Sequence, residues 1–417
     1  MTFNAFFSEI LQREGPAYGI GLERMQALLK RWENPEKNIK TIHVAGTNGK
    51  GSLCYLCSSV LQAAGYKTGL FISPHLSSVC ERISINGQHI SRAMLLRLCQ
   101  EVLSYEEQNG PKMNFFEILT LAAFLYFSRK KVDFLVLETG LGGRKDPTNV
   151  CAACMVLVGG IGLDHCQVLG NTLSAIAQEK AGIIKDQTPV FATNLPPEAL
   201  AVLQTRANKC HAPFFYEKDA RPFSLEKIDW KKGFLLLRKN KALWRLGLLG
   251  ENQAENASVV YRAMRFLAVP DSLIKKGFAQ AKAPARFEMF YRQGKLFIID
   301  GAHNPQAAQG LVDFLKKSPF CQKANLVCGF MQDKDFGQML RIWAPHFKEI
   351  FVAQLGTERS AETELVRKVM PASAKAFYFS SPVRALDEAQ KTAEVVVVSG
   401  SFYLAGALRT RIGARKD

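Results

Sequence analysis

Between residues 43 and 52 the chain reads His43-Val44-Ala45-Gly46-Thr47-Asn48-Gly49-Lys50-Gly51-Ser52. The apolar run at 41–46 predicts a strand, and the run at 50–64 predicts a helix. Few backbones accommodate a glycine-rich turn between the two. Glycines let main-chain N–H groups close on an anion, and the helix start adds partial positive charge. On such a turn Lys50 reaches outer phosphates, and the Ser52 hydroxyl is placed to bind Mg²⁺. The strict Gly-x4-Gly-Lys-Ser/Thr spacing fails, because Val44 holds the first glycine position and Gly51 precedes Ser52. An ordinary tight turn has no use for so many glycines beside a lysine and a serine. The expectation is therefore an ATP phosphate loop made by Thr47, Asn48, Gly49, Lys50, Gly51 and Ser52.

Strands and helices alternate on both sides of this loop. Residues 67–72 and 133–138 read as buried strands, the second ending on Glu138. Such a strand end is where α/β proteins place metal ligands, so Glu138 is a Mg²⁺ candidate. Asn86-Gly87 marks a hairpin within 82–90. Helical patterns cover 92–108, 115–130 and 172–184, a further strand covers 153–160, and 214–250 reads as a small β excursion. Pro284 blocks helix continuation and marks a boundary. Beyond it five apolar strands alternate with helices, the first of them KLFIID at 295–300. The expected fold is thus α/β in two parts. Residues 1–283 form a P-loop ATPase-like domain with a parallel sheet, and 284–417 a smaller, Rossmann-like, doubly wound domain.

Composition excludes several classes. The 417 residues exceed what one core holds, and 47 % hydrophobic with 22 % charged residues is ordinary for a globular protein. No apolar run is long enough to span a membrane, and the first residues lack a basic start, so a cytoplasmic enzyme without a signal peptide is expected. Ten cysteines lie scattered, several in apolar runs, as free thiols do; Cys54/Cys57 and Cys151/Cys154 lack the turn residues of a zinc knuckle. A net charge of +17 favours anionic partners, either nucleic acid or a polyanionic small substrate with ATP. The basic residues are spread out, with no stacking-aromatic basic module, so no nucleic-acid partner is expected.

The variant GTNGKGS resembles the phosphate loop of the folylpolyglutamate and dihydrofolate synthases, which belong with the muramyl ligases. The other motifs follow in order from about residue 18 to 410. Phe71-Ile72-Ser73-Pro74-His75-Leu76 with Glu81-Arg82-Ile83 is similar to a loop that borders the family's folate site, where a Ser or Thr helps hold metal. Ser73 is thereby a metal ligand and Arg82 a substrate contact. Phe115-Phe116-Glu117 resembles an aromatic-aromatic-Glu segment; spacing alone allows a core pair equally, and the resemblance implies that Phe116 touches substrate.

Glu138-Thr139-Gly140-Leu141-Gly142-Gly143-Arg144-Lys145-Asp146-Pro147-Thr148-Asn149 looks like the folate-contacting loop, with Arg144 and Asp146 at the substrate. Pro147 replaces the usual Ala. Asp164-His165, then Glu179-Lys180-Ala181-Gly182, is close to the family signature. It implies His165 as a second Mg²⁺ ligand and Lys180 carbamylated by CO₂. By spacing alone Lys180 reads as a surface lysine, and His165 as a capping or core histidine. Gly250-Glu251-Asn252-Gln253 with Asn256 resembles a motif usually written His-Gln, which places Asn256 near adenine or ribose. Pro284-Ala285-Arg286-Phe287 looks like the interdomain stretch, with Ala285 in place of Gly and Arg286 on ATP phosphates. Asp300-Gly301-Ala302-His303 implies Asp300 and His303 at the nucleotide and incoming glutamate, and Gly400-Ser401-Phe402 a substrate contact at Ser401.

The resemblance implies an ATP-dependent ligase that adds L-glutamate to dihydropteroate, to (tetrahydro)folate polyglutamates, or to both, through an acyl phosphate. Lys50, Lys180 and His303 are the expected catalytic groups. Two Mg²⁺ ions are expected on Ser52, Ser73, Glu138, His165 and carbamylated Lys180. A monomer acting on small molecules in folate and one-carbon metabolism is implied. A folate-chain extender alone is the alternative, followed by a P-loop NTPase acting on nucleic acid. A muramyl ligase would carry an N-terminal domain for which the stretch before residue 43 is too short.

Overall fold

The computed structural model describes residues 2–13, 21–109, 112–216 and 221–413. The start of the motif series near residue 18 lies outside the described residues. The chain forms two compact units. The first comprises Met1–Pro74, Val79–Ser224 and Glu255–Ala281; the second comprises His75–Ser78, Leu225–Ala254 and Lys282–Asp417.

The first unit contains β1 (Lys40–Ala45), β2 (Thr68–Phe71), β3 (Ile83–Ile85), β4 (Gln88–His89), β5 (Phe134–Glu138), β6 (Ala153–Val158), β7 (Val190–Ala192) and β8 (Phe214–Tyr216). They form one sheet in the order β4-β3-β2-β5-β1-β6-β7-β8. β2, β5, β1, β6, β7 and β8 run parallel, and the β3–β4 hairpin closes the edge antiparallel. The central strands are apolar on both faces because helices cover both sides. One side packs the helix Phe115–Arg129, which starts at a capping box. Asn114 Oδ1 accepts from Glu117 N (2.9 Å), and Glu117 Oε2 accepts from Asn114 N (2.8 Å). Glu117 is thereby a cap.

The helix Lys50–Ala63 follows β1 and is apolar nearly all round. It is crossed closely by the helix Asp271–Gln280, where a Cβ on Gly277 would lie 2.5 Å from Val60 Cα, and Ser59 Oγ donates to Gly277 O (2.7 Å). The helix Leu173–Ala181 ends three residues before the expected 184. Its following Gly182 must stay small, because a Cβ there would sit 2.4 Å from Arg144 Cα.

The second unit holds a three-stranded sheet of β9 (Ser224–Asp229), β10 (Phe234–Lys239) and β11 (Ala242–Leu246), the β excursion read at 214–250. Its larger sheet contains β12 (Glu288–Arg292), β13 (Lys295–Ile299), β14 (Asn325–Cys328), β15 (Ile350–Ala353), β16 (Ala376–Phe379) and β17 (Val395–Ser399). The order is β12-β13-β17-β14-β15-β16, parallel except for β12. The five expected strands are all present. The antiparallel β12 is an addition to the sequence reading, joined to β13 by Gln293 (φ 50°) and Gly294 (φ 76°), a two-residue hairpin turn. Among the described residues no helix is long and apolar enough to cross a membrane. Cys54, Cys57, Cys99 and Cys328 are buried free thiols, and Cys154 is half-buried.

Candidate active site

In the first unit β2, β5, β1 and β6 lie side by side and parallel, so the loops after them leave one edge of the sheet. These loops carry residues 46–52, Ser73, residues 139–149 and residues 159–165. The phosphate loop is shaped by glycine. Gly49 has φ 85° and precedes the helix Lys50–Ala63 as an N-cap without a side chain. Gly160 O accepts from Thr47 N (2.7 Å) and Asn48 N (3.1 Å). Gly159 allows this approach, since a Cβ there would lie 2.6 Å from Asn48 O. Thr47 Oγ1 donates to Gly162 O (3.0 Å) and accepts from Gly162 N (3.1 Å). The sequence reading missed Gly159-Gly160, although a glycine pair directly after an apolar strand is a legible signal.

Two amines converge on one carbonyl. Lys50 Nζ and Lys180 Nζ each donate to Gly46 O at 2.9 Å, and Lys50 also reaches Thr47 O (3.3 Å). Lys180 is 3 % exposed, far from the surface lysine that spacing alone allows. Burial first, and then the neighbouring Lys50 charge, lower its pKa to about 7, so a large fraction is an uncharged amine at neutral pH.

Lys180 is fixed from behind by the loop 139–149. Arg144 N donates to Glu179 O (2.7 Å), a Cβ on Gly143 would lie 3.1 Å from Lys180 Cα, and Asn149 Nδ2 donates to Arg144 O (3.0 Å) and Gly182 O (3.2 Å). The Arg144 side chain is exposed, with Nε 3.7 Å from Glu179 Oε1. Asp146 is turned inward. Its Oδ2 accepts from Leu141 N (2.8 Å), and its Oδ1 from Thr148 N (3.0 Å) and Thr148 Oγ1 (2.5 Å). Burial raises its pKa, opposed by these donors. Its carboxylate thus holds the loop's shape.

Glu138 is 2 % exposed at the end of β5, and its Oε2 accepts from Ser73 N (3.0 Å). Ser52 is buried in the first turn of its helix. Carboxylate and hydroxyl oxygens are hard donors that suit Mg²⁺, which is usually held by one or two carboxylates together with substrate phosphates. Among the described residues no three or more His, Cys, Asp or Glu side chains cluster to hold a metal. His165 has φ 49°, a half-exposed ring and Nε2 3.9 Å from Asp164 Oδ1. Asn256 is buried, with Oδ1 3.4 Å from where a Gly49 Cβ would stand. Phe116 is half-buried on Gly140 and lies 5.7 Å from the Phe71 ring, while Arg82 stacks over Phe115 (5.2 Å).

In the second unit the expected residues gather around Phe402. The Arg286 guanidinium lies 4.5 Å over its ring, the His303 ring is 5.5 Å away, and Gly301 packs beneath it. Asp300 accepts from Phe287 N and Ala302 N (2.9 Å each); burial raises its pKa, with Arg286 the largest opposing influence. His303 Nδ1 lies 2.8 Å from Gly301 O, which assigns the proton to Nδ1. Ser401 is buried, and its Oγ accepts from Leu404 N (3.0 Å), capping the helix Phe402–Ile412.

Comparison with known proteins gives this geometry its context. Residues 44–264 match the Mur ligase middle domain, and residues 285–402 match the Mur ligase glutamate ligase domain. The chain is 33 % identical to the Bacillus subtilis dihydrofolate synthase/folylpolyglutamate synthase, covering 94 % of this chain and 95 % of that one. It is 31 % identical to the Escherichia coli protein of the same description, covering 95 % and 92 %. The Mycobacterium tuberculosis folylpolyglutamate synthase, solved with ADP and AMPPCP, superposes with a TM-score of 0.90 at 28 % identity, covering 100 % of this chain and 99 % of that one. Escherichia coli FolC with DHPP and ADP gives 0.88 at 29 %, with 100 % and 99 % covered. Two matched domains that together span residues 44–402, and a third of all residues shared with a relative over nearly its whole length, make the chain a member of the Mur ligase family, among its folylpolyglutamate and dihydrofolate synthases.

Proposed function

We propose that this chain joins L-glutamate to the carboxylate of dihydropteroate, of folates, or of both, converting ATP to ADP and phosphate through an acyl phosphate. The observation that carries this reading is the pair Lys50 and Lys180 on the Gly46 carbonyl. A plain nucleotide switch needs one phosphate-loop lysine. A second, buried, near-neutral amine at the same loop suits a site where a carboxylate meets a phosphoryl group.

In this reading residues 1–283 hold the nucleotide and 284–417 handle glutamate. Thr47 to Ser52 cradle the phosphates, and the helix start offsets their charge. Asn256 sits against the base or sugar. Ser52, Ser73, Glu138, His165 and Lys180 would hold Mg²⁺, which supplies charge stabilisation as the phosphoryl group moves. The uncharged Lys180 amine attacks CO₂, forming an N–C bond and releasing a proton, and so becomes an anionic arm. Arg82, Phe116 and Arg144 border the acceptor, with Asp146 shaping the loop that carries Arg144. Arg286, Asp300, His303 and Ser401 serve nucleotide and glutamate, with the His303 ring oriented by the contact of its Nδ1 with Gly301 O. The enzyme works as a cytoplasmic monomer on small molecules, without nucleic acid.

The test is ATP- and glutamate-dependent phosphate release with dihydropteroate or tetrahydrofolate, with products weighed by mass spectrometry. A glutamyl adduct on both acceptors establishes a bifunctional enzyme, and on one alone names the activity. Phosphate release without any adduct overturns the reading. Lys180→Ala is expected to abolish ligation while nucleotide binding survives; normal ligation by that variant would remove the carbamate from the scheme.

A further inference from the structure

His43 is a polar residue in an otherwise apolar stretch of β1, fully buried, three residues before Gly46. Its Nε2 is 2.8 Å from Thr148 Oγ1, and its Nδ1 is 3.6 Å from Cys151 Sγ. Thr148 has one hydroxyl proton, and it goes to Asp146 Oδ1 at 2.5 Å. Both Asp146 oxygens also accept from backbone N–H groups, so the ionised carboxylate is the form this setting fits. The direction of the whole chain follows. Cys151 S–H donates to His43 Nδ1, His43 Nε2–H to Thr148 Oγ1, and Thr148 O–H to Asp146. Every link is buried, so a lost link leaves a polar group unpaired.

The chain joins two parts of the site. One end stands on the strand that delivers the phosphate loop. The other end sets Asp146, which ties down Leu141 N within the loop 139–149. That loop holds the backbone on both sides of Lys180 through Glu179 O and Gly182 O. Lys180 in turn donates back to Gly46 O. The circuit is closed, from β1 through His43, Thr148 and Asp146 to Lys180 and back to the phosphate loop.

We propose that His43 and Thr148 are positioning residues that set where Lys180 stands against the phosphate loop. Neither touches the reacting atoms; they act through Asp146 and the loop it shapes. The kinetic part of this inference rests on the proposed ligase reaction, and the structural part does not.

The experiment uses the full chain with Thr148→Val, Thr148→Ser, His43→Leu and the double variant Thr148→Val/His43→Leu. Thr148→Val is expected to lower kcat about 10–100-fold, as loss of a group that orients a ligand does, with KM for ATP unchanged. Thr148→Ser restores kcat, since the hydroxyl is kept. The double variant is no worse than the poorer single, because the two residues form one chain. Hydrogen–deuterium exchange rises at 139–149 and 173–182 in Thr148→Val and not at 50–63. A fall in Tm with wild-type kcat and wild-type exchange in those segments would overturn the proposal, as would additive effects in the double variant. If His43→Leu does not fold, Thr148→Val and Thr148→Ser decide the matter. If the wild-type chain makes no glutamyl adduct, the proposed function fails, and the exchange measurement alone still supports or overturns the circuit.

Discussion

Two strand-to-helix junctions in this molecule are built in opposite ways. In the first unit β1 enters the helix Lys50–Ala63 through Gly49, which has no side chain to cap the helix. In the second unit β13 enters the helix Pro305–Lys316 through Asn304, whose Oδ1 accepts from Ala307 N (2.8 Å), with Pro305 in the first turn. The second junction is closed by its own residues. The first keeps its helix start for something else, and its neighbours are glycines that let backbone approach backbone. A helix start left without a side-chain cap costs stability unless an anion takes the place of the cap. The difference therefore separates a junction without a side-chain cap, which suits the proposed phosphate site, from one shaped to hold its own turn.

The comparison breaks most visibly at Gly159. Gly159→Ala places a Cβ 2.6 Å from Asn48 O, a backbone atom that cannot swing away. The loop must then move off Gly160 O. kcat/KM for ATP is expected to fall by up to about 10²-fold, the scale that an ångström of misplacement at a reacting site can cost, with KM for ATP raised. Steady-state kinetics over ATP concentration check it; an unchanged KM would show that the loop's distance from β6 is not what binds ATP.

Lys180 sharpens the same contrast through pH. Its folded pKa of about 7 lies below the 10.5 of an exposed lysine. Between those values the unfolded chain holds more proton than the folded one, so this residue's contribution to stability rises with pH. Below about 7 both states are protonated and the full cost of burying the charge remains. Lys180→Met in CO₂-free buffer should therefore raise Tm most near pH 6, and the gain should shrink as pH climbs towards 10. Calorimetry at several pH values reads this directly. A gain independent of pH would place the charge in water.

For the second junction the expected effect is smaller. Asn304→Ala removes one cap and should cost about 1 kcal/mol, seen as a lower denaturation midpoint with an unchanged m-value. A loss no larger than that of an exposed surface substitution would show that the cap is not what holds this turn.

How much of this was legible in the sequence depended on distance along the chain. The phosphate loop was legible because its glycines, Lys50 and Ser52 act within one turn of each other. The five parallel strands of the second unit were legible as apolar runs. β12 was not, because Met289 and Phe290 are only partly covered and Tyr291 is exposed at the sheet edge, and Gln293-Gly294 is a weaker turn signal than Asn-Gly. The motifs imply substrate contacts at Asp146 and Ser401, and nothing local in the sequence signals that each also accepts from backbone N–H groups around it. The buried state of Lys180 could not come from helical spacing. It arises where Gly143 and Gly182 let a loop close over the helix, a contact between residues far apart in sequence. His43 gave a signal, a lone polar residue in an apolar strand, whose partners Thr148 and Cys151 lie over a hundred positions away.

Ala285 offers the smallest and cleanest test. The motif that residues 284–287 resemble carries Gly at this position, and here Ala285 adopts φ 51°, in the left-handed region, and is fully buried. Its backbone is held there from two sides: Ala285 N donates to Glu288 Oε2 (3.0 Å), and Ala285 O accepts from Gly301 N (2.8 Å). Glu288 is itself fixed by a two-point contact with Arg409 at 2.8 and 2.9 Å. An L-residue in this region costs roughly 1–2 kcal/mol, whereas glycine adopts it freely. Glycine also loosens the unfolded chain by about 0.4–1 kcal/mol, which offsets part of the gain. Ala285→Gly should therefore stabilise by roughly 0.5 kcal/mol, a Tm rise near the limit of calorimetry, while Ala285→Val should destabilise by more because a branched side chain resists that backbone. If Ala285→Gly were instead destabilising, the methyl group's packing in the core would outweigh the strain, and this turn would belong with the Asn304 junction as one closed by its own side chains rather than by glycine.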